Sequence, residues 1–303
     1  MIVQSDFYKE FEIDLTTSCN LKCPLCTRNY HHAQHTIDKK YKNGRNLSDI
    51  IQQLDTFPNL NRCMLAGAIS EPTLYKDLFG FIEYLNDRNI IIEMYTNGDT
   101  HDDDYWFELG NIMKSVDVVH FTICGSTQEL HEKYRVNSNL SRILSHSKSL
   151  RRSKPIDFCQ YIVFNYNEED SVSTKTLDIM SQFSNKYYVQ SEGRRRMNKK
   201  VYPTDIAPIE HRNDTINMIF DRAVSPSDNK KYKIDCKFFG EKKIFISASG
   251  QTYPCYTAME HNNMEFVDGY DYTDIFNFSH PDCFLCEFRT RRLIDALGLD
   301  FVC

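Results

Sequence analysis

Between residues 11 and 191, short apolar runs rich in β-branched and aromatic residues alternate with segments whose apolar residues recur at helical spacing. This alternation constrains the fold most tightly, because strands separated by helices pair in parallel through right-handed crossovers. The strand candidates are 11–15, 62–65, 90–95, 118–123, 157–164 and 187–190. Helical patterns occupy 47–57, 77–85 and 140–150. In the first, Leu47, Ile50, Ile51 and Leu54 share a face, and Ser48 can cap the start. Leu78, Phe81, Ile82 and Leu85 mark the second, and Leu140, Ile143 and Leu144 the third. Six such units are too few to close an eight-stranded barrel. The expected fold class is therefore α/β, a partial (β/α)6 TIM-like barrel. In such sheets ligands gather at the carboxyl ends of the strands.

Directly after the first strand candidate comes Cys19-Asn20-Leu21-Lys22-Cys23-Pro24-Leu25-Cys26. Three thiolates on one loop can hold three irons of a cubane iron–sulfur cluster and leave the fourth iron open. Zinc is the other reading. It wants four ligands, and His31, His32 or His35 could supply the fourth. Disulfides are not expected, because the eleven cysteines are an odd count with no apolar signal segment before them. That usage points to a reducing cytoplasm. The longest apolar runs, such as Ile90-Ile91-Ile92, are too short to cross a membrane. A formal net charge of −6 argues against a broad basic face for duplex nucleic acid.

The alternating pattern breaks near residue 192. A chain of 303 residues has room for one large core and a small second domain. The expected division is a barrel core over 1–192, a linker over 193–235 and a small metal-held domain over 236–303. The linker opens on a basic run, Arg194 to Lys200. Arginine forks suit phosphate and carboxylate, so the run reads either as a contact for an anionic substrate or as a solvated linker.

Cys19-x3-Cys23-x2-Cys26 after a first strand resembles the signature of the radical S-adenosylmethionine superfamily. The resemblance implies that the open iron chelates S-adenosylmethionine. Reductive cleavage would then give a 5′-deoxyadenosyl radical that takes a hydrogen atom from the substrate. It also implies roles for residues at matching positions. Gly67-Ala68-Ile69-Ser70-Glu71-Pro72 stands where the family has Gly-Gly-Glu-Pro, so Glu71 would receive the methionine ammonium group. Ile69 and Ser70 replace the two glycines, which places Ser70 at the same contact. Thr96-Asn97-Gly98 resembles the family's Thr-Asn-Gly turn. Thr122-Ile123-Cys124-Gly125 resembles its Ser-hydrophobic-Asp-Gly motif, with Thr122 a ribose contact and Cys124 in place of the acid. Arg135 matches a frequent family arginine, and Asn165 falls where an asparagine approaches the nucleoside. Each of these residues also has a plain reading as a turn or cap residue. Cys63 and Cys159 read as small buried hydrophobes. Cys124, at a strand's carboxyl end, could return a hydrogen atom to a substrate radical.

The tail carries a second pattern: Cys236, a hairpin-like run over 243–255 ending in Cys255, then Cys283-Phe284-Leu285-Cys286. This order resembles the Twitch domain, a shorter relative of the SPASM domain. It implies a second, auxiliary 4Fe–4S cluster, whereas the spacing alone also suits a zinc knuckle. Cys303 reads as a frayed terminal thiol, with an extra cluster ligand as the alternative. The cofactors expected are thus S-adenosylmethionine and two 4Fe–4S clusters, with a flavodoxin or ferredoxin as electron donor. The expected reaction is oxidation (dehydrogenation) or epimerisation of a small, anionic or sugar-like substrate. About ten residues precede the first strand, too few for a leader-binding domain, so a small molecule is favoured over a ribosomal peptide. Peptide modification is the alternative within the same chemistry. A non-catalytic iron–sulfur electron carrier or zinc protein is the alternative of another class.

Overall fold

The computed structural model describes residues 5–24, 26, 28, 37–153, 155–190 and 241–253. Cys236, Cys255, Cys283, Cys286, Cys303 and the basic run lie outside the described residues, so the structure bears on none of them.

The first half alternates β1 (Glu10–Ile13), α1 (Leu47–Leu54), β2 (Arg62–Leu65), α2 (Leu78–Asp87), β3 (Ile91–Thr96), α3 (Asp103–Ile112) and β4 (Val118–Ile123). Then follow α4 (Gln128–Tyr134), α5 (Leu140–Leu150), β5 (Ile156–Val163), α6 (Glu168–Ser171), α7 (Thr174–Met180) and β6 (Asn185–Gln190). A hairpin of β7 (Lys243–Ile246) and β8 (Thr252–Tyr253) comes last. One sheet holds all eight strands in the order β6-β5-β4-β3-β2-β1-β7-β8. Every neighbouring pair is parallel except β7 and β8. The first six strands with their helices form the expected α/β partial barrel. Among the described residues no helix is long and apolar enough to cross a membrane.

Strand alternation sorts the side chains into two layers. Phe11, Ile13 and Leu15 of the first strand region, Ile92 and Met94 of β3, and Val119, Phe121 and Ile123 of β4 all enter the main core. There they meet Ile50 and Leu54 of α1, Phe81 and Leu85 of α2, Trp106 of α3 and Ile143 of α5. The alternate residues face the other way, into the barrel lumen. They include Glu12, Met64, Glu93, Tyr95, His120, Phe158 and Tyr187.

Three features differ from the sequence reading. Ser48 does not cap α1. Asn46 stands at the N-cap position without a side-chain cap bond, its carbonyl accepting from Asp49 N at 3.1 Å and Ile50 N at 3.3 Å, and the helix ends at Leu54. Helices α3, α6 and α7 lie outside the helical patterns of the sequence; in α3 the run Asp103–Ile112 has a weak apolar period. The start of α3 is fixed instead by the Asp102 side chain, which accepts from Tyr105 N at 3.0 Å. Finally, β7 pairs in parallel with β1, with Phe245 opposite Glu12, so the hairpin extends the core sheet.

Candidate cofactor site

The cysteine loop leaves the carboxyl end of β1. Cys23 is buried, and Cys19 and Cys26 are half-buried. The Cys26 amide donates to the Cys23 carbonyl at 3.2 Å, which turns the chain back on itself. Cys23 packs with Leu21, Cys124, Tyr134, Ile162 and Phe164, and Cys19 and Cys26 border the same cluster. Burial pushes the Cys23 thiol up to about 12, against the neighbouring Arg135. Burial, with the Glu71 carboxylate second, pushes Cys19 up to about 11. These two cysteines are therefore thiols at neutral pH, and binding a metal must expel their protons. Among the described residues no three His, Cys, Asp or Glu side chains surround a single ion. The thiols of a cubane site bind different irons and stand further apart than ligands of one ion, so three cysteines on one loop in one apolar pocket fit such a cluster. The zinc alternative drew on His31, His32 and His35, which lie outside the described residues.

The loop is tied down by its neighbours. Arg28 Nη1 donates to the Thr17 and Ile69 carbonyls, each at 2.6 Å, which joins the loop's far end to the segments after β1 and β2. The Glu71 amide donates to the Ser18 carbonyl at 2.8 Å. The Glu71 carboxylate, 2% exposed, caps the tight turn Pro72–Leu74. Its Oε1 accepts from Thr73 N at 3.3 Å, Thr73 Oγ1 at 2.7 Å and Thr96 Oγ1 at 2.6 Å. Its Oε2 accepts from Asn97 N at 2.8 Å. Burial raises the carboxyl's pKa and these donors pull it back. Oε1 is saturated with three donors, whereas Oε2 keeps acceptor capacity for one more.

The structure brings Thr96 and Asn97 to Glu71, as their positions in the sequence require. Ser70 turns instead to Asp14, donating to its Oδ1 at 2.7 Å. Thr122 Oγ1 donates to Gln160 Oε1 at 3.0 Å within the lumen. Arg135 is the C-cap of α4. Its Nε is buried without a hydrogen bond among the described residues, and the Cys23 and Cys124 thiols lie beside it. Cys124 is fully buried in the same cluster as Cys23. Asn165 is exposed at the start of the turn Asn165–Asn167. The buried asparagine there is Asn167, whose Nδ2 donates to the Cys124 carbonyl at 2.8 Å.

Three participants were not singled out from the sequence. Asn20 Nδ2 donates to the Asp99 carbonyl at 2.9 Å, and its Oδ1 accepts from Asn97 Nδ2 at 2.8 Å. Asp99 in turn accepts from Arg142 Nε at 2.7 Å and Asn139 N at 3.0 Å. The third is Asp14. These contacts join positions far apart in the chain. Only the polar type of Asn20 inside an otherwise metal-binding motif hinted at a bracing role.

The family profile of the Radical SAM superfamily matches residues 13–174, more than half of the chain. A cysteine-type anaerobic sulfatase-maturating enzyme of Clostridium novyi (strain NT) is 26% identical over 166 residues, covering 50% of this chain and 42% of that protein. A tungsten-containing aldehyde ferredoxin oxidoreductase cofactor-modifying protein of Pyrococcus furiosus is 27% identical over 116 residues, covering 38% of this chain and 30% of that protein. The chain thus spans less than half the length of these curated relatives. Among solved structures, Streptococcus suis SuiB bound to the precursor peptide SuiA superposes with a TM-score of 0.59 at 15% identity. That likeness covers 91% of this chain and 66% of SuiB. Histidine-tagged anSMEcpe with bound AdoMet gives 0.57 at 14% identity, covering 91% of this chain and 82% of that one. Both likenesses speak for the fold.

Proposed function

The chain belongs to the radical S-adenosylmethionine superfamily, and on that footing we propose that Cys19, Cys23 and Cys26 hold its 4Fe–4S cluster and that the ends of β2 to β4 hold S-adenosylmethionine beside it. When bound, the cluster supplies the electron that cleaves S-adenosylmethionine to the 5′-deoxyadenosyl radical. The chain's own residues position and seal. Glu71 offers the spare acceptor capacity of Oε2 to the methionine ammonium, and its bonds to Thr96 and Asn97 fix that carboxylate in place. Thr122, Arg135 and Asn165 are the candidate contacts for the rest of the cofactor. The observation that carries the reading is the Glu71–Asn97–Asn20 chain of hydrogen bonds, which runs from the methionine-binding position to the cysteine loop.

Cys236, Cys255, Cys283 and Cys286 remain the proposed ligands of an auxiliary cluster, which would take an electron from the substrate radical in a two-electron oxidation. Cys124 is the proposed hydrogen-atom donor if the outcome is epimerisation. For the substrate we favour a peptide or protein segment. A relative is named for sulfatase maturation and a structural neighbour is titled with a precursor peptide, and neither name points to a sugar-like small molecule. Anaerobic reconstitution with iron and sulfide, followed by electron paramagnetic resonance of the reduced protein, tests the assignment. A 4Fe–4S signal that changes on adding S-adenosylmethionine, and is lost in Cys23→Ala, is expected. A reconstituted signal indifferent to S-adenosylmethionine would count against the cofactor site.

A further inference from the structure

Strand β1 presents two carboxylates to the lumen one pleat apart: Glu12, 6% exposed, and Asp14, just beyond the strand's end and 2% exposed. Glu12 sits in register between Met64 of β2 and Phe245 of β7, and neither side chain can donate a hydrogen bond. Among the described residues no donor reaches its carboxylate. Asp14 Oδ1 takes the Ser70 hydroxyl, while Oδ2 is buried without a hydrogen-bond partner among the described residues. A buried charge is costly unless it is paired, so the orphaned Asp14 Oδ2, beside a Glu12 carboxylate that has the Lys243 charge near it but no hydrogen bond among the described residues, calls for an explanation outside folding.

The donors on neighbouring elements are committed elsewhere. Arg62 of β2 pairs with Glu93 of β3. Tyr95 donates to the same Glu93 at 2.6 Å. His120 of β4 lies 3.2 Å from Glu93 and meets the Tyr187 hydroxyl of β6 at 3.0 Å. Lys243 of β7 lies 3.7 Å from Glu10 and 3.3 Å from Glu241, and its charge also acts on Glu12. Arg28 Nη1 is occupied by the Thr17 and Ile69 carbonyls, while its charge and the Ile69 and Ala68 amides act on Asp14. Among the described residues, Glu12 and Asp14 Oδ2 thus keep acceptor capacity on this face that a group carrying N–H donors and positive charge would suit.

We propose that the lumen face of β1 recognises a positively charged nitrogen of the substrate, an ammonium or guanidinium, with Glu12 and the inner oxygen of Asp14 as its acceptors. This rests on the reading of the chain as an enzyme whose substrate enters the barrel. Side chains two residues apart on a strand stand ~7 Å apart at their Cα atoms, so one nitrogen group can bridge both carboxylates. The same chemistry comes from a lysine or arginine side chain of a peptide or from a free amine.

The test uses the reconstituted holoenzyme. Calorimetry first measures S-adenosylmethionine, then the pentapeptide amides Gly-Gly-Lys-Gly-Gly, Gly-Gly-Arg-Gly-Gly and Gly-Gly-norleucine-Gly-Gly, and n-butylammonium. At least one cationic probe is expected to bind about tenfold more tightly than the norleucine peptide. That preference should vanish in Glu12→Gln and shrink in Asp14→Asn, with S-adenosylmethionine binding intact in Glu12→Gln. A cationic peptide as the winner assigns a peptide source, and butylammonium alone assigns a free amine. Equal binding of cationic and neutral probes, or discrimination that survives both variants, overturns the proposal. Failure of wild-type protein to bind S-adenosylmethionine would instead mark a failure of the underlying reading.

Discussion

The backbone N–H of Asn97 donates to Glu71 Oε2 at 2.8 Å, so one buried carboxylate holds the turn after β3 against the loop after β2. Removing it strands several donors at once. Glu71→Ala leaves Asn97 N, Thr96 Oγ1 and the Thr73 donors without their acceptor, and is expected to cost about 2–4 kcal/mol in denaturant unfolding. Glu71→Gln keeps an acceptor oxygen and should cost less. Both variants should bind S-adenosylmethionine more weakly, because neither offers a charge to the ammonium. A Glu71→Gln protein with undiminished affinity would separate the stabilising role from the binding role.

Asn97 also reaches the cysteine loop. Its Oδ1 accepts from Asp99 N at 2.9 Å, which fixes the amide's orientation and leaves Nδ2 to donate to Asn20 Oδ1 and to face Cys19 Sγ at 4.0 Å. Hydrogen bonds to cluster sulfurs raise the reduction potential. Asn97→Asp loses the donor and adds negative charge, so its cluster should titrate at a more negative potential with the iron content retained. Asn20→Ala, which leaves Cys19 Sγ as the remaining acceptor for Asn97 Nδ2, should shift it less and in the opposite direction. An unchanged potential in a redox titration followed by electron paramagnetic resonance would show that the contact does not tune the cluster.

Glu12 makes stability depend on pH. Burial, with the Asp14 charge second, raises its pKa from 4.5 to about 7, so between those values the folded protein binds more protons than the unfolded chain. Stability contributed by this group is present below 4.5 and falls as pH rises through about 7. Asp14, raised by burial to about 6, acts in the same sense over a lower window. His131, which burial lowers to about 3, acts in the opposite sense up to 6.5. The comparison of Glu12→Gln with wild type isolates one group. The variant should gain on wild type by something on the order of 2 kcal/mol between about pH 4.5 and about pH 7.5. A difference that stays flat with pH would mean that Glu12 is not held protonated by the fold.

Cys124 offers a separate check on the reaction's outcome. If its thiol returns a hydrogen atom, wild type in deuterated water should yield product of unchanged mass number apart from one deuterium, and Cys124→Ala should yield none. Deuterium incorporation that survives the substitution would remove Cys124 from that role.

The sheet was largely legible because alternation survives in a parallel barrel whose outer face is covered and whose lumen is polar. Arg62–Leu65 and Val118–Ile123 stand where the apolar runs placed them, and the other strands of the first six shift by one or two residues at their ends. The pairing of β7 with β1 was not legible, since Phe245 and Glu12 become neighbours across more than two hundred residues with no local signal. At the site, motif position indicated Glu71, Thr96 and Asn97, because a strand end fixes where its next residues lie. It did not indicate Asn20, whose partners arrive from the turn after β3. Nor did it mark Glu12, which reads as any strand residue until its neighbours prove to be Met64 and Phe245.

The most direct test is to incubate the anaerobically reconstituted protein with dithionite and S-adenosylmethionine and to quantify 5′-deoxyadenosine. Formation of 5′-deoxyadenosine by wild type, and its loss in Cys23→Ala, is the predicted result. Wild-type protein that carries a reduced 4Fe–4S cluster yet forms no 5′-deoxyadenosine would contradict the account.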